Sequence, residues 1–260
     1  MTLDSNNYYS LVASKEYMSV SQYKAFCGTY GCEAREVAKL AGEYQEGEKT
    51  AFLIGSYVDS FFEGTLPQFT AAHPEIFKRD GTLKADYVLA NAMIDKATSD
   101  TLFMRFMAGE KQTIFTADIF GTAWKCKLDV LHRGKCIVDL KTTQGIHKGF
   151  YSDGNCKNFI SQFGYYTQAA IYQKSVEINT GEHLPFYIAA ISKEETPEIE
   201  IIQLEQEKLD VALYEVEANL PHVLEVKNGL TAAARCEKCD YCRKTKKLTV
   251  PIWSADIKLF

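Results

Sequence analysis

Long apolar runs are missing from this chain of 260 residues. The longest, such as Phe186 to Ile191, are far too short for a bilayer span. The opening MTLDSNNYYS has neither a basic region nor an apolar stretch, so no signal peptide is visible and a cytoplasmic protein is expected. In such a compartment disulfides are not expected among the eight cysteines. No glycine loop of the Walker type is present, so nothing points to an ATP-driven motor. Internal repeats, low-complexity tracts and a clear linker are also lacking. Positive charge is in deficit, with 29 Lys+Arg against 34 Asp+Glu and a net charge of −5. That disfavours a broadly basic, non-specific nucleic-acid surface. A local basic strip can still coexist with an acidic remainder, and the run Lys244, Thr245, Lys246, Lys247 is one candidate, or else a solvated tail.

What is present suits a globular core: 46% hydrophobic and 24% charged residues. The length suits a single domain over residues 1–260. A helical N-terminal part is expected to about residue 107, and a cysteine-bearing tail from about 230. Helical periodicity covers Ser19 to about Leu40, with Ser19 or Ser21 as cap and Tyr23, Phe26, Val37 and Leu40 facing inward. A second helix is expected from Thr50 to Glu63, burying Phe52, Leu53, Val58, Phe61 and Phe62 and ending at Gly64. A third runs from Lys84 to about Met107. Three strands follow, about Gln112–Ile119, Ala123–His132 and Lys135–Lys141, joined by turns at Phe120-Gly121 and Arg133-Gly134. Such short turns imply an antiparallel meander. A long helix (Asn158 to about Asn179), strands at Phe186–Ile191 and Ile199–Leu204, and a helix from about Glu205 to Asn228 complete the pattern. The class expected is α/β: a central mixed β-sheet with an antiparallel meander, flanked by helices.

The meander carries the chemistry. One strand holds Lys127-Leu128-Asp129, its neighbour Val138-Asp139-Leu140-Lys141. Asp129 and Asp139 lie on either side of one tight turn, and alternation puts Asp139 and Lys141 on one face. Apolar residues surround both acids, where a charge is costly unless paired or bound to a cation. Phosphodiester hydrolysis needs a cation that offsets phosphate charge and acidifies the attacking water. Mg²⁺ prefers oxygen ligands, commonly one or two carboxylates plus water and phosphate. Asp129 and Asp139 suit that role, and the Lys141 amine can orient water or stabilise developing charge. A plain Asp–Lys ion pair on an exposed edge strand is the simpler alternative.

The stretch KLDVLHRGKCIVDLKTT resembles the core of the PD-(D/E)XK nuclease superfamily. Three further segments resemble its RecB-like branch: MSVSQYKAF its S-x-S start, Gly55-Ser56-Tyr57-Val58-Asp59 its G-x-x-x-H helix, and Gln162-Phe163-Gly164-Tyr165-Tyr166 its Q-x-x-x-Y motif. The likeness extends from about Ser19 to Cys242 and is greatest to phage exodeoxyribonucleases of the RecE type. It implies a restriction-endonuclease-like core. It also implies an Mg²⁺- or Mn²⁺-dependent, ATP-independent exodeoxyribonuclease acting on linear DNA, double-stranded by preference. A single-strand or flap nuclease, or an inactive DNA-binding assembly protein, are the alternatives. By the resemblance, Asp129, Asp139 and the carbonyl of Leu140 are metal ligands and Lys141 is the catalytic lysine. Gln162 and Tyr166, at i and i+4 of one helix, contact DNA or steady the site. Asp59 stands where the family often has histidine, which leaves it a ligand or a supporting group. Glu110 precedes the first strand, where relatives often have an acid near the metals. A RecT-like single-strand annealing protein is the implied partner, and homo-oligomers occur among such enzymes.

The tail Cys236-Glu237-Lys238-Cys239-Asp240-Tyr241-Cys242 holds two overlapping C-x-x-C steps, a spacing at which thiolates converge on one metal. Some RecB-like relatives, AddB and the CRISPR adaptation nucleases among them, hold an iron–sulfur cluster through one N-terminal and three C-terminal cysteines. Cys32 sits at the comparable place, with Cys27 as its alternative. The close, even C-terminal spacing leaves a 4Fe-4S cluster, Zn²⁺ and free thiols all open.

Overall fold

The computed structural model describes residues 1–47, 50–152 and 155–257. The last three residues of the expected cysteine-bearing tail lie outside them. The N-terminal part is helical: α1 (Leu11–Glu16), α2 (Val20–Cys27), α3 (Glu33–Ala41), α4 (Thr50–Glu63), α5 (Leu66–Ala72), α6 (Ala85–Thr98) and α7 (Thr101–Phe106). The meander follows as β1 (Glu110–Ile119), β2 (Thr122–His132) and β3 (Cys136–Thr143). A small hairpin, β4 (Phe150–Ser152) with β5 (Asn155–Lys157), leads to α8 (Phe159–Gln162) and α9 (Tyr165–Thr180). Strands β6 (Phe186–Ser192) and β7 (Ile199–Gln203), α10 (Gln206–Lys227) and α11 (Asp240–Lys244) complete the order.

The five-stranded sheet runs β1-β2-β3-β6-β7. All neighbours are antiparallel except β3 and β6, because α8 and α9 carry the chain back across the sheet between those two strands. The expected mixed α/β class therefore holds. One face packs on α9 and α10 through Leu128, Leu131, Ile137, Phe186 and Ile188. The other packs on α4, α6 and α7 through Val130, Val138, Leu140, Ala189 and Ile191. Sheets covered on both faces are what the near-continuous apolar runs of β3 and β6 require. Among the described residues no helix is long and apolar enough to cross a membrane.

Three helices expected to be continuous are broken. The stretch Ser19–Leu40 is α2 and α3, parted by a loop at Gly28–Gly31. A Cβ on Gly31 would stand 2.8 Å from the carbonyls of Phe26 and Gly28, so only glycine fits. The stretch Lys84–Met107 is α6 and α7, because Asp100 starts a new helix by accepting from Phe103 N. The stretch Asn158–Asn179 is α8 and α9, because Gly164 adopts left-handed φ 62°. Helix α4 has the expected bounds, but its buried face differs. Tyr57 and Val58 are buried, whereas Phe52 is 71% and Phe61 37% exposed.

Candidate active site

Strands β2 and β3 pair through Val130↔Val138, Leu131↔Ile137 and His132↔Cys136. The next pair in that register would be Asp129 opposite Asp139, and there the ladder stops. Like charges directly opposed across strands repel. The register of β1 on β2 likewise skips the pair Gln112 and Asp129, and Gln112 takes an uncommon φ of 54°. The inward face of β2 slips at the same level: Leu128 belongs to the cluster under α9, Val130 to the one under α4. Where the main chains part, the Asp129 side chain takes over, and its Oδ2 accepts from Leu140 N at 2.9 Å.

A cleft of about 500 Å³ opens at this divergence, and Asp59, Asp129, Asp139, Leu140 and Lys141 all line it. Asp59 arrives from α4. That helix lies close on β3, because a Cβ on Gly55 would stand 3.3 Å from Thr142 Oγ1. Asp139 and Lys141 do share a face, and the Lys141 ammonium pairs with Asp139 Oδ2. The same Nζ lies 3.3 Å from Leu140 O and 5.1 Å above the Tyr165 ring.

Burial and crowding of like charges shift the titratable groups of the cleft. Burial and the neighbouring Asp139 push the Asp129 carboxyl well above the usual range. Burial raises Asp59 to about 7, helped by Glu63 and Asp139 and opposed by Lys141. Burial works against the Lys141 ammonium, but Asp139 and Asp129 outweigh it and hold the amine charged. Lys24 of α2 also lines the cleft, and burial together with the nearby Lys141 lowers it to about 8. Three carboxylates and a carbonyl offer only oxygen donors, the type a hard divalent cation takes, yet among the described residues only the four cysteines already bring three or more acidic, thiol or imidazole ligand atoms within reach of one ion. Lys141 touches two of those oxygens, so it must move before an ion can share them.

Two expected supporting residues stand elsewhere. The break at Gly164 puts Gln162 and Tyr166 on different helices rather than on one face. Gln162 donates from Nε2 to Tyr30 Oη at 2.8 Å, and Tyr166 reaches Glu205 at 3.3 Å. The glutamine that faces the acids is Gln168, whose Nε2 donates to Asp139 Oδ1 at 2.8 Å. Tyr172, one turn further along α9, also lines the cleft. Gln168 and Tyr172 carry the same Q-x-x-x-Y spacing six residues downstream. Glu110 does not enter the cleft, since Arg133 holds it in a two-pronged ion pair at 2.6 and 2.8 Å. The acid that does enter is Glu63, one turn after Asp59 on α4, a spacing legible in the sequence. Lys244 to Lys247 do not line the cleft; its lysines are Lys24, Lys127 and Lys141.

The second constellation is sulfur. The Sγ atoms of Cys32, Cys236, Cys239 and Cys242 all lie within 4.8 Å of one another. Cys32 and Cys242 are 3.5 Å apart, Cys236 and Cys242 3.9 Å. Cys27 is exposed and bonds Tyr23 O instead. Cys236 Sγ accepts from Cys239 N, and Cys239 Sγ from Cys242 N, each at 3.4 Å. Burial works against a thiolate at Cys236, but the N–H groups of Cys239 and Lys238 outweigh it and lower the thiol to about 6. Burial raises Cys32 to about 12. A ring of thiols with one already acidic suits a thiophilic metal.

A family model described as "PDDEXK-like domain of unknown function (DUF3799)" matches residues 19–245. The chain belongs to this PDDEXK-like family. A PDDEXK-like chain is thus the setting in which Asp129, Asp139 and Lys141 share a cleft. The crystal structure of a "putative exonuclease" from Eubacterium rectale is 45% identical to it. That match covers 99% of this chain and 100% of the other, with a TM-score of 0.95. A second solved structure, at 13% identity over 72% of this chain and 84% of that one, superposes with a TM-score of only 0.27 and bears on nothing here. No curated protein matches the chain.

Proposed function

We propose that this chain is a divalent-cation-dependent deoxyribonuclease that hydrolyses linear DNA from its ends without ATP. The observation that carries the reading is the convergence of Asp59, Asp129, Asp139 and Lys141 on one cleft where the sheet opens. The 45% identical relative described as an exonuclease supports action at ends. Asp59, Asp129, Asp139 and the Leu140 carbonyl would hold Mg²⁺ or Mn²⁺. Such an ion, when bound, offsets phosphate charge and lowers the pKa of a water. Gln168 fixes the Asp139 carboxylate from one side, and the Leu140 N–H fixes Asp129. Lys141, kept protonated by its acidic neighbours, moves from Asp139 to the phosphate and stabilises the charge that builds there.

The test is digestion of an end-labelled linear duplex beside a closed circular one, with Mg²⁺ and no ATP. Linear substrate is expected to disappear and the circle to survive. EDTA should abolish the activity, and Lys141→Ala should lower it by about 100-fold or more. Cleavage that withstands both treatments sinks the assignment. Work beside a RecT-like annealing protein in phage-type recombination is the setting this activity suits. Co-purification with such a protein is the corresponding measurement.

The four cysteines are read as a structural metal centre that fastens the start of α3 to α11. A tetrahedral ion with bonds of about 2.3 Å sets its sulfurs about 3.8 Å apart. The observed 3.5 and 3.9 Å favour a single ion such as Zn²⁺. A 4Fe-4S cluster, as in some RecB-like nucleases, is the second reading. Metal analysis and visible absorbance of anaerobically purified protein separate the two. A folded protein holding neither zinc nor iron removes both.

A further inference from the structure

A second hollow, about 640 Å³, adjoins the acidic cleft. The two share Ser21, Lys24, Phe52, Lys141 and Gln168 in their linings, so they form one continuous depression. Its walls differ in character from the cleft. Tyr30 is 60% exposed and lies nearly parallel to Phe163, at 28° and 6.3 Å between centroids. Phe52, 71% exposed, stands where cleft and hollow meet. Lys24 sits at the same junction, its Nζ bonded to Phe163 O at 3.0 Å and 5.4 Å over the Tyr165 ring. Gln162 is 6% exposed and lines the hollow; its Nε2 holds Tyr30, and its Oε1 has no partner.

Each feature fits a nucleic-acid strand whose bases are not paired. Exposed ring faces are stacking platforms that any base can use, and a cation between them suits the backbone. A hollow of this size, within the range that holds a drug-sized molecule, has room for about one or two nucleotides.

We propose that this hollow is the channel for an unpaired DNA strand leading to the acidic cleft, with Tyr30 as the base-stacking platform and Lys24 the phosphate contact at the junction. The proposal rests on the nuclease reading and deepens it: a duplex end must part before its strand reaches Asp129 and Asp139.

The experiment measures anisotropy of a fluorescein-labelled oligothymidylate of about twelve nucleotides, a length typical of single-strand sites. Ca²⁺ is present, and all proteins carry Lys141→Ala so that the strand stays uncut. Tyr30→Ala is expected to weaken binding by about 5- to 150-fold, the worth of one base–aromatic stack. Tyr30→Phe, which loses only the bond to Gln162, should stay near the parent. Phe52→Ala, a change at a residue 71% exposed, should also weaken binding. Lys24→Gln should reduce the slope of log affinity against log salt by about 0.7. Unchanged affinity in both Tyr30→Ala and Phe52→Ala overturns the channel. So does an equal loss on a blunt hairpin duplex, or a parent that does not bind the oligonucleotide. If the wild type cleaves DNA while Tyr30→Ala and Phe52→Ala both bind normally, the channel falls and the nuclease reading stands. If the strand binds through Tyr30 and wild type cleaves nothing, the reverse holds.

Discussion

Asp129 carries two duties that one pair of substitutions separates. Its carboxylate is a proposed cation ligand, and its Oδ2 is the acceptor for Leu140 N, which lost its β2 ladder partner where the strands part. Asp129→Asn retains an oxygen for that N–H and escapes the burial and like-charge cost that pushes the Asp129 carboxyl's pKa up. Its stability without metal should match or exceed that of the parent. Asp129→Ala leaves the Leu140 N–H unmet at a cost of about 1–3 kcal/mol. In a chain of this size that lowers the melting temperature by roughly 3–10 °C. Both variants should lose at least about 100-fold in DNA hydrolysis. The assays are thermal melting in EDTA and end-labelled digestion in Mg²⁺. An Asn variant as unstable as the Ala variant would refute the hydrogen-bond account. An Asn variant with parental activity would refute the ligand role.

The remaining predictions concern the residues around it. Asp59 binds its proton more tightly folded, at about 7, than unfolded, at its ordinary 3.8. Its contribution to stability in EDTA is therefore greatest below pH 4 and declines as pH rises towards 7. Melting curves across that window should show the decline, and Asp59→Asn should flatten it. Gln168→Ala, by freeing Asp139, should lower activity or metal affinity about 10- to 100-fold, whereas Tyr166→Phe should leave both unchanged in the same titration. Gly55→Val should destabilise by about 1–3 kcal/mol through overpacking on Thr142, read from denaturant melts. Cys32→Ser should lower both metal stoichiometry and melting temperature while leaving hydrolysis of a short oligonucleotide largely intact.

The cleft's central trio is legible in the sequence alone. Period-two alternation and one tight turn bring Asp129, Asp139 and Lys141 together on the sheet, because both features are local. The supporting residues were less legible, because each depends on a break or a competitor. A straight helix through Gly164 selects Gln162 and Tyr166; the left-handed turn there leaves Gln168 facing Asp139. Glu110 has the right charge and sequence position, but Arg133, two residues beyond the end of its neighbour strand's pairing with it, captures it. Phe52 follows the apolar pattern of α4 and reads as core. It is exposed, because the surface it joins is a hollow rather than an interior. The break between α2 and α3 is hidden for a similar reason, since helical periodicity does not register the tight carbonyl packing around Gly31.

The turn from Gly28 to Cys32 joins two parts of the molecule that have no chemistry in common. It ends in a thiol of the sulfur ring and begins two residues before the aromatic platform, with almost no slack because Gly31 is wedged against the end of α2. A displacement of Cys32 would therefore meet Tyr30, two residues back along the chain, before it could reach the acids on β2 and β3. If the sulfurs hold a metal and the hollow holds a strand, an oxidant is expected to weaken strand binding before it lowers hydrolysis.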